Sequence, residues 1–93
     1  MVRAHLFVSG RVQGVFYRKH VRKMARNLHL VGWARNAIDG RVEVVVEGEK
    51  EQIKQFLKEC KEGSTLAQVQ NIEVEYENYV GEFTDFEIRE FGF

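Results

Sequence analysis

Strand-like and helix-like periodicity succeed one another along this chain in the order strand, helix, strand, strand, helix, strand. Two segments place apolar residues at helical spacing, and the other four show apolar runs or alternation typical of strands. Two split βαβ units in this order predict an α+β, ferredoxin-like βαββαβ sandwich, with an antiparallel sheet and both helices on one face. A further apolar run near the C-terminus predicts a short extra strand.

The bounds of these elements follow from where each pattern stops. The first strand spans His5–Val8 and is apolar on both faces, which predicts a central position in the sheet. The first helix runs from Phe16 or Tyr17 to Leu30, with an apolar stripe that faces the sheet. The other predicted elements are strands at Val31–Ile38 and Arg41–Glu47, a helix at Lys50–Glu62, a half-buried strand at Val69–Tyr79 and a short strand within Glu82–Glu90.

Glycines mark two of the element ends. Asp39-Gly40 before an alternating strand predicts a hairpin in which Gly40 adopts positive φ. Gly63 fits the position that ends the second helix. Cys60 lies in the apolar stripe of that helix, which favours a small core residue over a reactive thiol.

Length and composition indicate one domain, spanning residues 1–93. With 44% hydrophobic and 30% charged residues, the composition is that of an ordinary globular chain. No segment reaches transmembrane length, and the N-terminus has no apolar signal region. One cysteine cannot form an internal disulfide, so a reducing compartment, the cytoplasm, is expected.

Charge is distributed unevenly although the net charge is zero. Residues 1–41 contain nine Lys or Arg and one acidic residue, Asp39, whereas residues 42–93 contain five basic and thirteen acidic residues. A basic half-chain attracts small anions. These basic residues could equally form the solvent-exposed face of a helix and make ion pairs with acidic residues of the strands.

The stretch Gly10-Arg11-Val12-Gln13-Gly14-Val15-Phe16-Tyr17-Arg18 joins the first strand to the first helix. Two glycines in such a connection allow backbone N–H groups to turn inward at the positive end of a helix dipole, which suits phosphate. Arg18, at the helix start, carries a planar fork of donors that can bind two phosphate oxygens. Taken alone, the same stretch is also compatible with a tight connection that has no ligand.

A nucleic-acid-binding module is the main alternative, because RNA-recognition domains share the βαββαβ order. Such domains stack bases on exposed aromatic residues of their central strands. Here the third strand reads Val42-Glu43-Val44-Val45-Val46-Glu47, which is acidic and aliphatic. That composition argues against a nucleic-acid partner.

Three blocks of sequence together resemble a known family. They are Gly10–Arg18, then Leu30-Val31-Gly32-Trp33-Ala34-Arg35-Asn36, then Asp39-Gly40-Arg41-Val42-Glu43. This combination closely resembles the acylphosphatases, small cytosolic enzymes of ferredoxin-like fold that hydrolyse the carboxyl–phosphate bond of acyl phosphates. The chain departs from the usual family pattern at Tyr17, where Phe is common, and at His29, where Gly is common.

The resemblance implies roles for particular residues. The phosphate-binding arginine of the family falls on Arg18, and the asparagine that positions the attacking water falls on Asn36. The phosphate-binding loop comprises Arg11, Val12, Gln13, Gly14, Val15, Phe16, Tyr17 and Arg18.

The resemblance also implies the chemistry and the partners. No metal and no cofactor are expected, and the substrate is a small-molecule acyl phosphate that water attacks directly. Phosphate or sulfate is expected as product or competing ligand, with no membrane partner and a monomeric state. A non-catalytic anion sensor and the acylphosphatase-like domain of a larger carbamoyl-transfer maturation protein are further alternatives. The length of 93 residues disfavours the latter.

Overall fold

A computed structural model describes residues 1–90 of the chain, so the last three positions of the expected 1–93 domain lie outside the described residues. Seven elements follow one another: β1 (Val2–Arg11), α1 (Tyr17–Asn27), β2 (Val31–Asn36), β3 (Val42–Gly48), α2 (Lys50–Glu62), β4 (Gln68–Glu77) and β5 (Phe86–Arg89).

The strands form one sheet in the order β4-β1-β3-β2-β5. The four strands of the βαββαβ motif pair antiparallel, which confirms the ferredoxin-like α+β prediction. The extra strand, β5, joins the far edge and runs parallel to β2, with Gly32 opposite Phe86 and Arg35 opposite Arg89. β1 lies between β3 and β4, as its two apolar faces predicted.

The core lies between the two helices and one face of the sheet. Alternate residues of β1 and β3 supply the sheet side, and the apolar stripes of the helices supply the other. The core residues that are less than 1% exposed include Ala4, Leu6, Val8, Val21, Ala25, Val42, Val44, Val46, Ile53, Phe56, Cys60 and Phe86. Cys60 is therefore a core residue, as predicted.

β1 and α1 differ in length from the sequence prediction. β1 is longer than His5–Val8 because it is hydrogen-bonded to a neighbour on each side. α1 stops three residues before Leu30, since the N–H of Leu30 turns back to Ala25 O (2.8 Å) and that of His29 to Arg26 O (3.1 Å). This is a Schellman ending with His29 at φ 59°, a position that usually carries glycine.

β2 also ends early, at Asn36 rather than Ile38, because the chain turns at Ala37–Gly40. The N–H of Ala37 donates to Arg41 O (2.7 Å), and that of Gly40 donates to Ala37 O (3.2 Å). Gly40 has φ 95°, which confirms the predicted positive φ of the hairpin.

The prediction of a half-buried β4 is wrong for its second half. Val74 and Tyr76 are 40% and 50% exposed, although they stand opposite the buried Leu6 and Ala4. β4 is an edge strand, and only Val69 and Ile72 pack against the core. The alternation in the sequence describes which face each residue occupies, but the extent of the helix layer decides whether that face is covered.

The outer face of the sheet carries charged side chains rather than a second layer. Glu47, fully buried, accepts hydrogen bonds from the N–H groups of Val80 (2.9 Å) and Gly81 (3.1 Å) and contacts Arg3 (3.4 Å). These bonds hold residues 78–85, which cross from β4 at one edge to β5 at the other. No helix within residues 1–90 is long and apolar enough to cross a bilayer.

Candidate active site

A sharp bend leads from β1 into the loop of residues 12–16. Ser9 pairs with Asn71 and Gly10 with Val69, so β4 has one extra residue at this point. Gly10 has φ 124°, and a Cβ on it would collide with the carbonyl oxygen of Gln68. Gly10 is therefore required both for its conformation and for the close approach of β4.

The loop curves because two of its residues have left-handed backbone conformations. Gly14 has φ 71°, and Phe16, directly before α1, has φ 61° and ψ 20°. No side chain caps the start of α1, and its first backbone bond runs from the N–H of His20 to Phe16 O. The N–H groups of the first helical turn therefore lack helical partners and stand at the positive end of the helix dipole, an arrangement suited to an anion.

Tyr17 fastens the end of this loop into the core. Its side chain is 1% exposed, and its hydroxyl donates to the carbonyl oxygen of Cys60 in the last turn of α2 (2.8 Å). Burial raises the pKa of the Tyr17 hydroxyl, so the group remains a neutral donor. The hydroxyl that distinguishes Tyr17 from the family's usual Phe thus joins the start of α1 to the end of α2.

Arg18 is half-buried and is held by the edge strand β5. Its Nη1 donates to the carbonyl oxygen of Arg89 in β5 (3.2 Å). Arg89 stands opposite Arg35 in the parallel β2–β5 pair, one residue from Asn36. Sequence reasoning did not find this contact, because the two residues are 71 positions apart and no local pattern links them.

Gln13 ties the loop to the β2–β3 hairpin. Its Nε2 donates to the carbonyl oxygens of Ala37 (2.8 Å) and Arg41 (2.9 Å). Both acceptors are carbonyls, so the orientation of the amide group is unambiguous. Sequence reasoning included Gln13 in the loop but missed this bracing role of its side chain.

Asn36 lies at the end of β2, where both of these contacts converge. Arg18 reaches the strand beside it, and Gln13 binds the residue that follows it. The Oδ1 atom of Asn36 is buried and has no hydrogen-bond partner within residues 1–90. A buried polar atom left unpaired costs about 1–3 kcal/mol, so this amide oxygen is expected to accept a hydrogen bond from a group outside the protein, such as a water molecule.

The side chains of the predicted site residues have different surroundings. The fold brings Gln13, Gly14, Arg18 and Asn36 to one end of the sheet. Arg11 is the last residue of β1 and pairs with Gln68, and the side chain of Val12 is buried in the core. Val15 packs partly against that core. For Val12, only the backbone is free to meet a ligand.

Comparison with known proteins shows the family to which the chain belongs. A sequence model of the acylphosphatase family matches residues 4–88. The chain belongs to the acylphosphatase family. It is 45% identical over 86 residues to the acylphosphatase of Pelotomaculum thermopropionicum, covering 92% of this chain and 94% of that relative. It is accordingly an enzyme of the acylphosphatase class, a hydrolase.

Two solved structures extend the comparison of this acylphosphatase-family chain. The crystal structure of acylphosphatase from Bacillus subtilis has a TM-score of 0.92 and 35% identity, covering 96% of this chain and 99% of that one. The phosphate- and nucleotide-bound form of full-length HypF has a TM-score of 0.85 and 30% identity. That match covers 99% of this chain but 12% of HypF, so the same domain also occurs within a much longer protein.

Proposed function

We propose that this chain hydrolyses the carboxyl–phosphate bond of acyl phosphates by direct attack of water, without a metal ion. Arg18 and the backbone N–H groups of residues 11–18 hold the phosphoryl group, and Asn36 orients the water. The observation that carries the proposal is that Gln13 ties the loop to the residue after Asn36 while β5, the strand beside β2, holds Arg18, so both contacts lie next to the buried amide oxygen of Asn36.

The reaction makes modest demands on the protein. The leaving group is a carboxylate whose conjugate acid has a pKa of about 4–5, by analogy with side-chain carboxyls, so it departs without protonation. Phosphoryl transfer depends mostly on positioning and on stabilising charge at the equatorial oxygens. A guanidinium fork and inward N–H groups supply that stabilisation.

Asn36 serves as an orienting group and not as a base. An amide accepts a hydrogen bond at its oxygen and donates two from its nitrogen, but it does not take up a proton at neutral pH. The proton of the attacking water therefore passes to a phosphate oxygen of the substrate. Water adds to phosphorus, the bond from phosphorus to the carboxylate oxygen breaks, and a carboxylate and inorganic phosphate leave.

The outer sheet face favours this proposal over nucleic-acid binding. Trp33 is 9% exposed, and the guanidinium groups of Arg35 and Arg89 lie 4.9 Å and 5.2 Å from its ring. Glu43 and Glu47, in a central strand, are buried on the same face. A face with a covered aromatic ring and buried carboxylates is poorly suited to stacking bases.

The test is phosphate release from acetyl phosphate in EDTA, measured for the unaltered protein and for variants at Arg18 and Asn36. Arg18→Lys retains the charge but loses the fork, and kcat/KM should fall by about 10²-fold or more. Arg22→Lys, one turn further along α1, is the matched control and should retain activity. Near-normal kinetics for Arg18→Lys, or activity that EDTA abolishes and Mg²⁺ restores, would contradict the proposal.

A phosphate titration by calorimetry separates the roles of the two residues. Asn36→Ala should lower kcat by orders of magnitude while phosphate affinity stays within a few-fold, because orienting water matters in the transition state. Arg18→Ala should weaken phosphate binding itself. If Asn36→Ala loses phosphate affinity as fully as Arg18→Ala does, Asn36 binds phosphate and does not serve mainly to orient the water.

A further inference from the structure

Phe16 combines two features that are each unfavourable for a phenylalanine. Its backbone lies in the left-handed region at φ 61°, which a bulky residue adopts only under constraint. Its side chain is nevertheless 67% exposed, so core packing does not offset that strain. Glycine would satisfy the backbone at lower cost, so the ring itself calls for a role.

The ring forms one wall of a groove beside the phosphate loop. The groove has a volume of about 360 Å³ and is lined by Gly14, Phe16, Arg18, Lys19, Ile88 and Glu90. Gly14 belongs to the phosphate loop, and Arg18 is the arginine proposed to bind phosphate. The groove therefore opens directly from the proposed phosphate site. Its volume falls within the range of small-molecule sites, roughly 300–1,000 Å³.

The apolar walls come from two separate elements. Phe16 precedes α1, and Ile88 lies on β5 next to Arg89, whose carbonyl oxygen holds Arg18. Because Arg18 lines the same groove as Phe16 and Ile88, we expect phosphate bound at Arg18 to place the group attached to it between these two side chains. In an acyl phosphate, the attached group is the acyl chain.

The charged residues of the groove offset one another. Lys19 Nζ lies 5.2 Å from the centroid of the Phe16 ring, and Glu90 contributes the opposite charge. Among the described residues that line the groove, Lys19 and Glu90 balance each other and the phosphate neutralises Arg18, so these residues leave no net charge to select a charged acyl group. Apolar contact is the remaining source of selectivity.

A second hollow lies on the other side of Phe16. It has a volume of about 320 Å³, and its lining includes Val15 of the loop, Lys23 and Leu66 but neither Gly14 nor Arg18. Because Arg18 lines the first groove and not the second, we expect an acyl group whose phosphate is bound at Arg18 to enter the first groove. Leu66, which is 58% exposed, therefore provides a matched control for Phe16.

We infer that Phe16 and Ile88 bind the acyl group and give the enzyme a preference for acyl phosphates with an apolar, ring-sized acyl group over those with a short one. This inference rests on the proposed function. It makes Phe16 and Ile88 specificity residues, whereas the chemistry at phosphorus is left to Arg18 and Asn36.

The experiment measures kcat/KM for benzoyl phosphate and for acetyl phosphate and takes the ratio of the two. Phe16→Ala and Ile88→Ala should each lower this benzoyl-to-acetyl ratio by about tenfold, the scale of losing an apolar contact in a binding pocket. Phe16→Leu, which keeps a smaller apolar side chain, should give an intermediate ratio. Leu66→Ala should leave the ratio unchanged. Thermal melts confirm that each variant is folded. If Phe16→Ala does not fold, Phe16→Leu replaces it in the test, and the Ile88 variant is assessed separately.

The outcomes separate this inference from the proposed function. If the unaltered protein hydrolyses neither substrate, the proposed function fails and the inference fails with it. If it hydrolyses both and the ratio stays the same in the folded Phe16 and Ile88 variants, only the acyl-group inference is overturned. A ratio that falls in Leu66→Ala as far as in Phe16→Ala also overturns it, because the acyl group would then occupy the second hollow.

Discussion

Gly14→Ala tests whether the curvature of the phosphate loop matters for function. In this structure the substitution has a single unfavourable free-energy contribution, which comes from the backbone conformation. Gly14 has φ 71°, and a Cβ placed on it would meet no atom within 4 Å. The added methyl group therefore clashes with nothing, and the only penalty is the left-handed conformation, roughly 1–2 kcal/mol for a residue other than glycine.

The effect on global stability is smaller than this penalty. Alanine also restricts the unfolded chain, which returns about 0.4–1 kcal/mol. The net loss is therefore about 1 kcal/mol, and the melting temperature of a domain of this size should fall by roughly 4–8 °C.

The effect on the site follows from the same strain. A penalty of 1–2 kcal/mol can reduce the population of the curved loop by a factor of about 5–30 relative to relaxed alternatives. Phosphate affinity falls by the factor by which the binding-competent fraction falls. We expect phosphate affinity and kcat/KM for acetyl phosphate to decrease by about tenfold.

Gly81→Ala is the matched control. Gly81 has φ 78°, close to that of Gly14, and a Cβ there would lie 3.1 Å from the side chain of Tyr79, which is 47% exposed and can move. Its N–H donates to Glu47, near the end of the sheet remote from the loop. Gly81→Ala should lose similar stability and keep its activity. Equal activity in the two variants, measured by phosphate titration and steady-state kinetics, would refute the reasoning.

Four further predictions concern stability and reactivity. Phosphate should raise the melting temperature progressively, with the logarithm of its concentration once this exceeds Kd, since it binds only the native state; a melting temperature that does not change up to millimolar phosphate would contradict this. His29→Gly should stabilise the protein by about 0.5–1 kcal/mol in urea unfolding by relieving the left-handed strain at φ 59°, whereas His20→Gly, inside α1, should destabilise it. The Cys60 thiol should resist alkylation at pH 8 until the chain unfolds, because burial raises its pKa to about 12; rapid labelling of native protein would refute this. Hydrogen bonding to His5 and then to Arg3 lowers the pKa of Glu77, so its stabilisation is present above pH 4.5 and lost as the pH falls through the lower folded value; Glu77→Gln should lessen the acid sensitivity of the melting temperature.

Much of the site could be proposed from sequence because its parts are local. The positive φ at Gly14 and the helix start next to Arg18 depend on residues within a few positions of one another. The catalytic roles of Arg18 and Asn36 came from resemblance to a family, and they remain proposals for this chain. Nothing in the local pattern indicated that Phe16 would be both strained and exposed, because exposure depends on what the rest of the fold leaves uncovered.

The order and type of the elements were determined by the sequence itself, since periodicity and glycine turns act over a few residues. Only the tertiary structure decided which residues are covered and which distant segments come into contact. Val74 and Tyr76 follow the strand alternation and yet are exposed, because the helix layer does not cover the second half of β4. Residues 78–85 cross the whole sheet so that β5 pairs parallel with β2, and this places the carbonyl of Arg89 against Arg18. Contacts between residues 71 positions apart depend on the free energy of the complete packed fold, which no short segment encodes.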